Sequence, residues 1–396
     1  MNAEEFQKRY CIDRRGTDCL KWDALGKRFG DKSLISMWVA DMEFRTPEAV
    51  IDAMTERVKH GVFGYSYVPD SYYAAYLAWE KSRRNNVIDQ KWVRFSNGVV
   101  VSLYWLVNAF TQPGDAVIVL TPVYYPFLNA AKDTGRKLIT CDLKSDKGVY
   151  SIDYGKFEQS IVENKVKLFI QCSPHNPVGR VWTEEELATV LDICKRHHVL
   201  VVSDEIHQDI VTGEKKQIPA AMVKNAAYAD NLITVAAPSK TFNLAGLLNS
   251  HVVIPNDDLR ARYDAYAKTV NQIEVNIMGM VAAQAAYTHG ADWLDGALKL
   301  IRKNYEYVRD ALAKQAPKIV ISSMEGTYLM WLDLRAYVDP ADTKDFVQNK
   351  CRLAVDYGQW FGENFGGFIR LNMATDPAYV KQAVDNLVSN LKKLKE

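Results

Sequence analysis

The middle of the chain alternates short apolar runs with longer amphipathic ones. Residues 117–120, 167–171, 200–203, 232–236 and 251–254 are short and mostly β-branched. Strands covered on both faces read this way, because neither side has to meet water. Helical patterns lie between several of them. The clearest spans 183–197, where Thr183 and Glu186 form a capping box and Lys195 and Arg196 close the last turn. Such alternation predicts a mostly parallel sheet with helices on both faces. The ends read differently. From about Tyr263 the pattern is helical over 275–287 and 291–313. Strand-like segments follow at 326–334 and 367–372, and an amphipathic helix at 377–394. The prediction is a large α/β domain over 46–285. A smaller α+β domain is expected from 1–45 together with 286–396.

Composition narrows the chemistry. The 49 basic and 48 acidic residues nearly cancel, leaving a net charge of +1. That balance gives no electrostatic case for nucleic acid or an anionic membrane as partner. No apolar run approaches the roughly 18 residues of a membrane span. The first residues are polar and lack the apolar core of a signal peptide. Cys11, Cys19, Cys141, Cys172, Cys194 and Cys351 are scattered, with no C-x-x-C pair and no His at metal spacing. The expectation is a cytoplasmic protein with reduced thiols, no metal, and a small-molecule ligand.

In open α/β sheets, ligands sit beyond the carboxyl ends of the strands, and four groups fall at such ends. Asp204, in VLVVSDEIH, follows an apolar strand; alone it reads as a helix cap. Lys240 follows Ser239 in ITVAAPSKTFNLAG. A lone lysine is usually a surface charge, but these flanks suggest burial, which lowers an amine pKa and frees it to form an imine. Ser239 offers a hydroxyl to an anion. Ser96-Asn97-Gly98-Val99-Val100 opens a helical pattern running to about Phe110. A helix start presents free N–H groups to a phosphate, and Gly98 lets backbone and anion approach closely. Asn176, in SPHNPVG, sits in a proline-rich turn with an amide able to bond a ring hydroxyl and a carboxylate. Together these are the needs of pyridoxal 5′-phosphate (PLP): a phosphate cradle, a carboxylate for the ring nitrogen and an imine-forming lysine.

In this order and spacing the residues resemble the fold-type-I PLP enzymes, the aspartate-aminotransferase superfamily, over nearly the whole chain. The likeness extends to Tyr124 in TPVYYPF, matching the aromatic that stacks on the pyridine ring. It includes Arg370 in GFIRLNMAT, matching the arginine that grips the substrate α-carboxylate. The resemblance implies a PLP-dependent transferase-like large domain. It also implies that Lys240 holds the cofactor as an imine and acts as base.

Three features resemble the cystathionine β-lyase (C–S lyase) branch, of the MalY/PatB type. Trp38-Val39-Ala40-Asp41-Met42-Glu43-Phe44 is similar to its W-x-A-D-M-[DE]-F signature, which sets Ala40 beside the substrate. Phe63-Gly64-Tyr65-Ser66 is similar to its YGY motif, with Phe63 replacing the first Tyr. In that branch the tyrosine matching Tyr65 reaches the neighbouring subunit's phosphate, which implies a homodimer. Leu248 stands eight residues after Lys240, where many aminotransferases carry a phosphate-binding Arg. His207 occupies the usual place of a tyrosine that bonds the ring hydroxyl, so its role stays open. The implied activity is α,β-elimination from L-cystathionine and related S-substituted cysteines, giving homocysteine, pyruvate and ammonia. The shared residues also admit an aminotransferase with a keto-acid partner, or a PLP-binding regulatory protein. Intact Lys240, Asp204 and Arg370 argue against the last.

Overall fold

The computed structural model describes residues 1–271 and 275–394. Its central sheet has seven strands. They run from Val93–Ser96 at one edge through Ser250–Val253, Leu232–Ala236, Leu200–Asp204, Leu168–Cys172 and Ala116–Thr121 to Lys137–Asp142 at the other. Ser250–Val253 is antiparallel to both neighbours, and the remaining pairs are parallel. The sheet is therefore mostly parallel, as the alternation predicts. Inner strands such as Ala116–Thr121 and Leu168–Cys172 are wholly buried and mostly apolar, with helices such as Val99–Phe110 and Glu184–Arg196 on the sheet's faces. The Thr183–Glu186 capping box is present, with Glu186 N–H donating to Thr183 Oγ1 at 3.2 Å and Thr183 N–H to Glu186 Oε2 at 2.9 Å. The two edge strands escape the sequence pattern. Lys137–Asp142 is largely open to one side and carries Lys, Thr and Asp, so it lacks the continuous apolar signature.

A second, four-stranded antiparallel sheet joins Val320–Ile321, Leu329–Asp333, Phe368–Asn372 and Asp356–Tyr357 in that order. The long helix Ala291–Gln315 packs against Pro377–Lys393. The chain's beginning joins this C-terminal part. Helix Ala3–Tyr10, opened by an Asn2–Glu5 capping box, lays Phe6 against Trp293 with ring centroids 5.5 Å apart. Strand Ile35–Ser36 pairs with Leu353–Ala354. Helices Glu48–His60 and Asp70–Arg84 pack on Ile277–His289, the helix in which residue 285 lies. Among the described residues, no helix is long and apolar enough to cross a membrane.

One buried ionic cluster ties helix Asp70–Arg84 to the central sheet. Arg84 lies between Glu80 and Asp209. Asp209 also accepts from Trp79 Nε1 at 3.1 Å and from Thr241 Oγ1 at 2.8 Å. Thr241 directly follows Lys240, so this cluster anchors the turn that carries the lysine.

Candidate active site

The strands that share a direction place their carboxyl ends along one edge, and a cavity of about 150 Å³ opens there. Its lining brings together Ala40, Gly98, Val99, Val100, Tyr124, Asn176, Asp204, His207, Ser239 and Lys240. Gly98 adopts φ +125°, and a Cβ there would meet nothing within 4 Å; glycine is needed for its conformation, not for space. The turn is pinned from behind, where Gly98 N–H donates to Ser250 Oγ at 3.1 Å and Ser250 contacts Ser96 Oγ at 2.7 Å. Helix Val99–Phe110 then starts at the cavity, and its first N–H groups have no carbonyl within the helix to bond. Leu248 also faces the cavity.

Lys240 Nζ donates to the Ala40 carbonyl at 2.5 Å, and Tyr328 Oη donates to the same oxygen at 2.8 Å. The WVADMEF segment holds that carbonyl in place. Val39, a β-branched residue, sits at φ +44°, a conformation that persists only where surroundings enforce it. Asn372 enforces it, its Nδ2 donating to Val39 O and Asp41 O, both at 2.7 Å. Asp41 is paired with Arg14 at 2.8 Å. Lys21, with 0% of its side chain exposed, lies 3.6 Å from Glu43 and 3.9 Å from Asp41. Among this segment's residues, Ala40 reaches the cavity and its acidic neighbours anchor it from behind.

Burial dominates the electrostatics. It lowers the Lys240 amine from 10.5 to about 8, with Asp41 opposing the shift, Arg370 reinforcing it and Asp204 opposing it. It raises Asp204 from 3.8 to about 7, against a hydrogen bond from Ile206 N–H at 3.0 Å and the nearby Lys240. His207 is driven well below its ordinary value, chiefly by burial and then by the Lys240 and Arg370 charges. It is therefore neutral, and its buried Nδ1 has no partner among the described residues.

Arg370, 2% exposed, sits inside strand Phe368–Asn372. Its Nη1 donates to Asn176 Oδ1 at 2.9 Å, and its Nε to Asp356 Oδ2 at 3.1 Å. Tyr65 stands apart. It is 94% exposed on an apolar stretch that includes Val62, Phe63 and Tyr67, and it does not line this chain's cavity. The sequence did not single out Tyr328, Asn372 or Asp356. Asp41 and Glu43 lay within a motif whose anchoring role only the packing reveals.

Residues 33–387 match the aminotransferase class I and II family. The chain belongs to that family. Within the aminotransferase class I and II proteins, it is 37% identical to "Cystathionine beta-lyase PatB" of Bacillus subtilis, covering 98% of this chain and 99% of that one. It is 32% identical to "Protein MalY" of Escherichia coli, over 96% and 97% of the two chains. The solved structure of cystalysin from Treponema denticola, which contains pyridoxal 5′-phosphate, superposes with a TM-score of 0.93 at 35% identity. That match covers 97% of this chain and 98% of cystalysin.

The cavity's donor set fits that cofactor's chemistry. Free N–H groups and the Ser239 hydroxyl suit a phosphate. Asp204, a carboxylate that burial pushes up to about 7, suits a protonated ring nitrogen. The orphaned His207 nitrogen and the Asn176 amide offer polar atoms at the cavity wall.

The lowered amine gives a direct expectation. In the cofactor-free protein Lys240 stays unprotonated down to about pH 8 and gains its proton below that. Acetylation by acetic anhydride, mapped by peptide mass, should therefore rise at Lys240 with a midpoint near 8. Surface lysines ordinarily titrate at about 10.4. A Lys240 midpoint in that ordinary range would contradict the desolvation argument.

Proposed function

We propose that this protein is a PLP-dependent carbon–sulfur β-lyase acting on L-cystathionine and related S-substituted cysteines. The observation that carries the chemistry is the buried Lys240 amine, held on Ala40 O in one cavity with Asp204. The choice of lyase rests on whole-length likeness to a protein named cystathionine beta-lyase, on the WVADMEF segment, and on Leu248 at the cavity wall.

In this reading Val99 and Val100 N–H groups, with Ser239, hold the cofactor phosphate, and Lys240 is the point of attachment. Tyr124 stacks on the ring, and Asn176 and His207 face its hydroxyl edge. Asp204 keeps the proton on the ring nitrogen; a cation seated against it returns the carboxylate to its ionised form. Bound there, PLP supplies an electron sink for the pair left at the substrate Cα. Arg370, Asn176 and the Ala40 backbone orient the substrate α-carboxylate. Lys240, with an amine lowered to about 8, takes the Cα proton as general base. The Cβ–S bond then breaks and the thiolate leaves. Overall, cystathionine and one water give homocysteine, pyruvate and ammonia. We assign the cofactor-holding groups to a large domain over 46–285. Ala40 and Arg370 are assigned to a small domain formed by 1–45 and 286–396. Six unpaired cysteines suit a reducing cytoplasm.

The test is product balance. Given cystathionine and no keto acid, the enzyme should release pyruvate and homocysteine in equal amounts over many turnovers. Release that stops after one turnover and resumes when a keto acid is added would mean an aminotransferase.

We also propose a homodimer in which Tyr65 completes the partner's phosphate site, since Phe63, Tyr65 and Tyr67 are large apolar or aromatic side chains left exposed on one chain. Tyr65→Phe should weaken cofactor retention more than folding. Mixed with Lys240→Ala subunits, it should regain about one competent site per heterodimer. No recovery despite demonstrated subunit exchange would rule out the shared site.

A further inference from the structure

Asp356 is a buried carboxylate, 3% exposed, that the proposed chemistry leaves without a task. It lies directly across from Arg370 in the antiparallel pair Asp356–Tyr357 with Phe368–Asn372. Both the Nε and the Nη2 of Arg370 donate to its Oδ2. Nη1 donates to Asn176, and the Phe361 ring lies under the guanidinium, 4.8 Å from its carbon. A guanidinium has five N–H donors in a rigid plane. Three are thus engaged, which leaves one on each terminal nitrogen. Such a pair meets both oxygens of a carboxylate at once.

We infer that Asp356 is a positioning residue for substrate recognition. It grips the inner edge of Arg370 so that the outer edge faces the incoming α-carboxylate. This inference rests on the reading of Arg370 as the carboxylate site. The arrangement opposes two effects. Asp356 repels a second carboxylate, but it does so across the width of the guanidinium. In return it removes the rotation that a long side chain must otherwise lose on binding. A fixed fork gains more from a two-point contact than a free one does, because misalignment weakens both bonds together. Phe361 holds the plane and Asp356 holds the angle within it. The register of the two strands sets the Asp356 contact, and Phe361 follows the turn Gly358–Trp360 between them, so the alignment is built before substrate arrives.

The experiment compares two ligands of the holoenzyme, L-alanine and ethylamine, which differ by the carboxylate alone. Binding is followed through the absorbance of the bound cofactor. Asp356→Ala should weaken L-alanine by roughly 10-fold, the worth of about one charge-assisted hydrogen bond, and leave ethylamine within about 2-fold. Asp356→Asn keeps an acceptor of the same shape and should recover much of the loss. Arg370→Ala should abolish the preference for the carboxylate-bearing ligand. Unchanged L-alanine binding in Asp356→Ala, with Arg370→Ala still losing its preference, would overturn the positioning role alone. So would equal weakening of both ligands, which marks a general structural defect. If Arg370→Ala keeps the preference, the carboxylate site itself is misplaced and the inference falls with it.

Discussion

A lysine amine serves as nucleophile and base only when an appreciable part of it is unprotonated, and here burial chiefly supplies that condition, with the Arg370 charge adding to it. The surrounding fold is organised around keeping the Lys240 ammonium poorly solvated while still giving it a partner. The Ala40 carbonyl is a neutral acceptor, so it orients the amine without stabilising its charge as a carboxylate in contact would. The nearest carboxylates are already engaged elsewhere: Asp41 faces Arg14, and Asp204 takes the Ile206 N–H. Had either turned onto Lys240, the amine would be held protonated and unreactive at neutral pH.

Keeping an acceptor at that spot needs structure from three distant parts of the chain. The positive φ of Val39 is disfavoured for a β-branched residue. It is fixed by Asn372, from the strand that also carries Arg370, and by Asp41 bound to Arg14. Tyr328, just before the neighbouring strand Leu329–Asp333, fills the carbonyl's second lone pair. The same sheet therefore holds both Arg370 and the carbonyl that orients the Lys240 amine. On the other side, the Glu80–Arg84–Asp209 cluster fixes Lys240 from behind through Thr241. The two reactive positions are thus held by separate buried networks.

Much of this was legible in the sequence, for identifiable reasons. Inner strands such as Leu168–Cys172 are buried on both faces, so composition alone marks them. The edge strands Val93–Ser96 and Lys137–Asp142 meet solvent and lose that mark. Asp204, Asn176 and Lys240 were legible because each residue type is chemically unusual just past an apolar strand. Tyr328, Asn372 and Asp356 were not. They are ordinary residues whose meaning lies in contacts such as Tyr328 to Ala40, 288 positions away, or Asn372 to Val39, 333 away. Asp356 lies 14 positions from Arg370, yet their meeting depends on a strand register that the pattern does not encode.

The central claim is that a single buried lysine carries the cofactor. Reduction of the PLP-loaded protein with borohydride, followed by proteolysis and mass spectrometry, tests it most directly. The account predicts one pyridoxyl-modified peptide, containing Ser239-Lys240-Thr241, and none from a Lys240→Ala variant treated in the same way. Stoichiometric modification at any other lysine, or retention of the label in that variant, would contradict it.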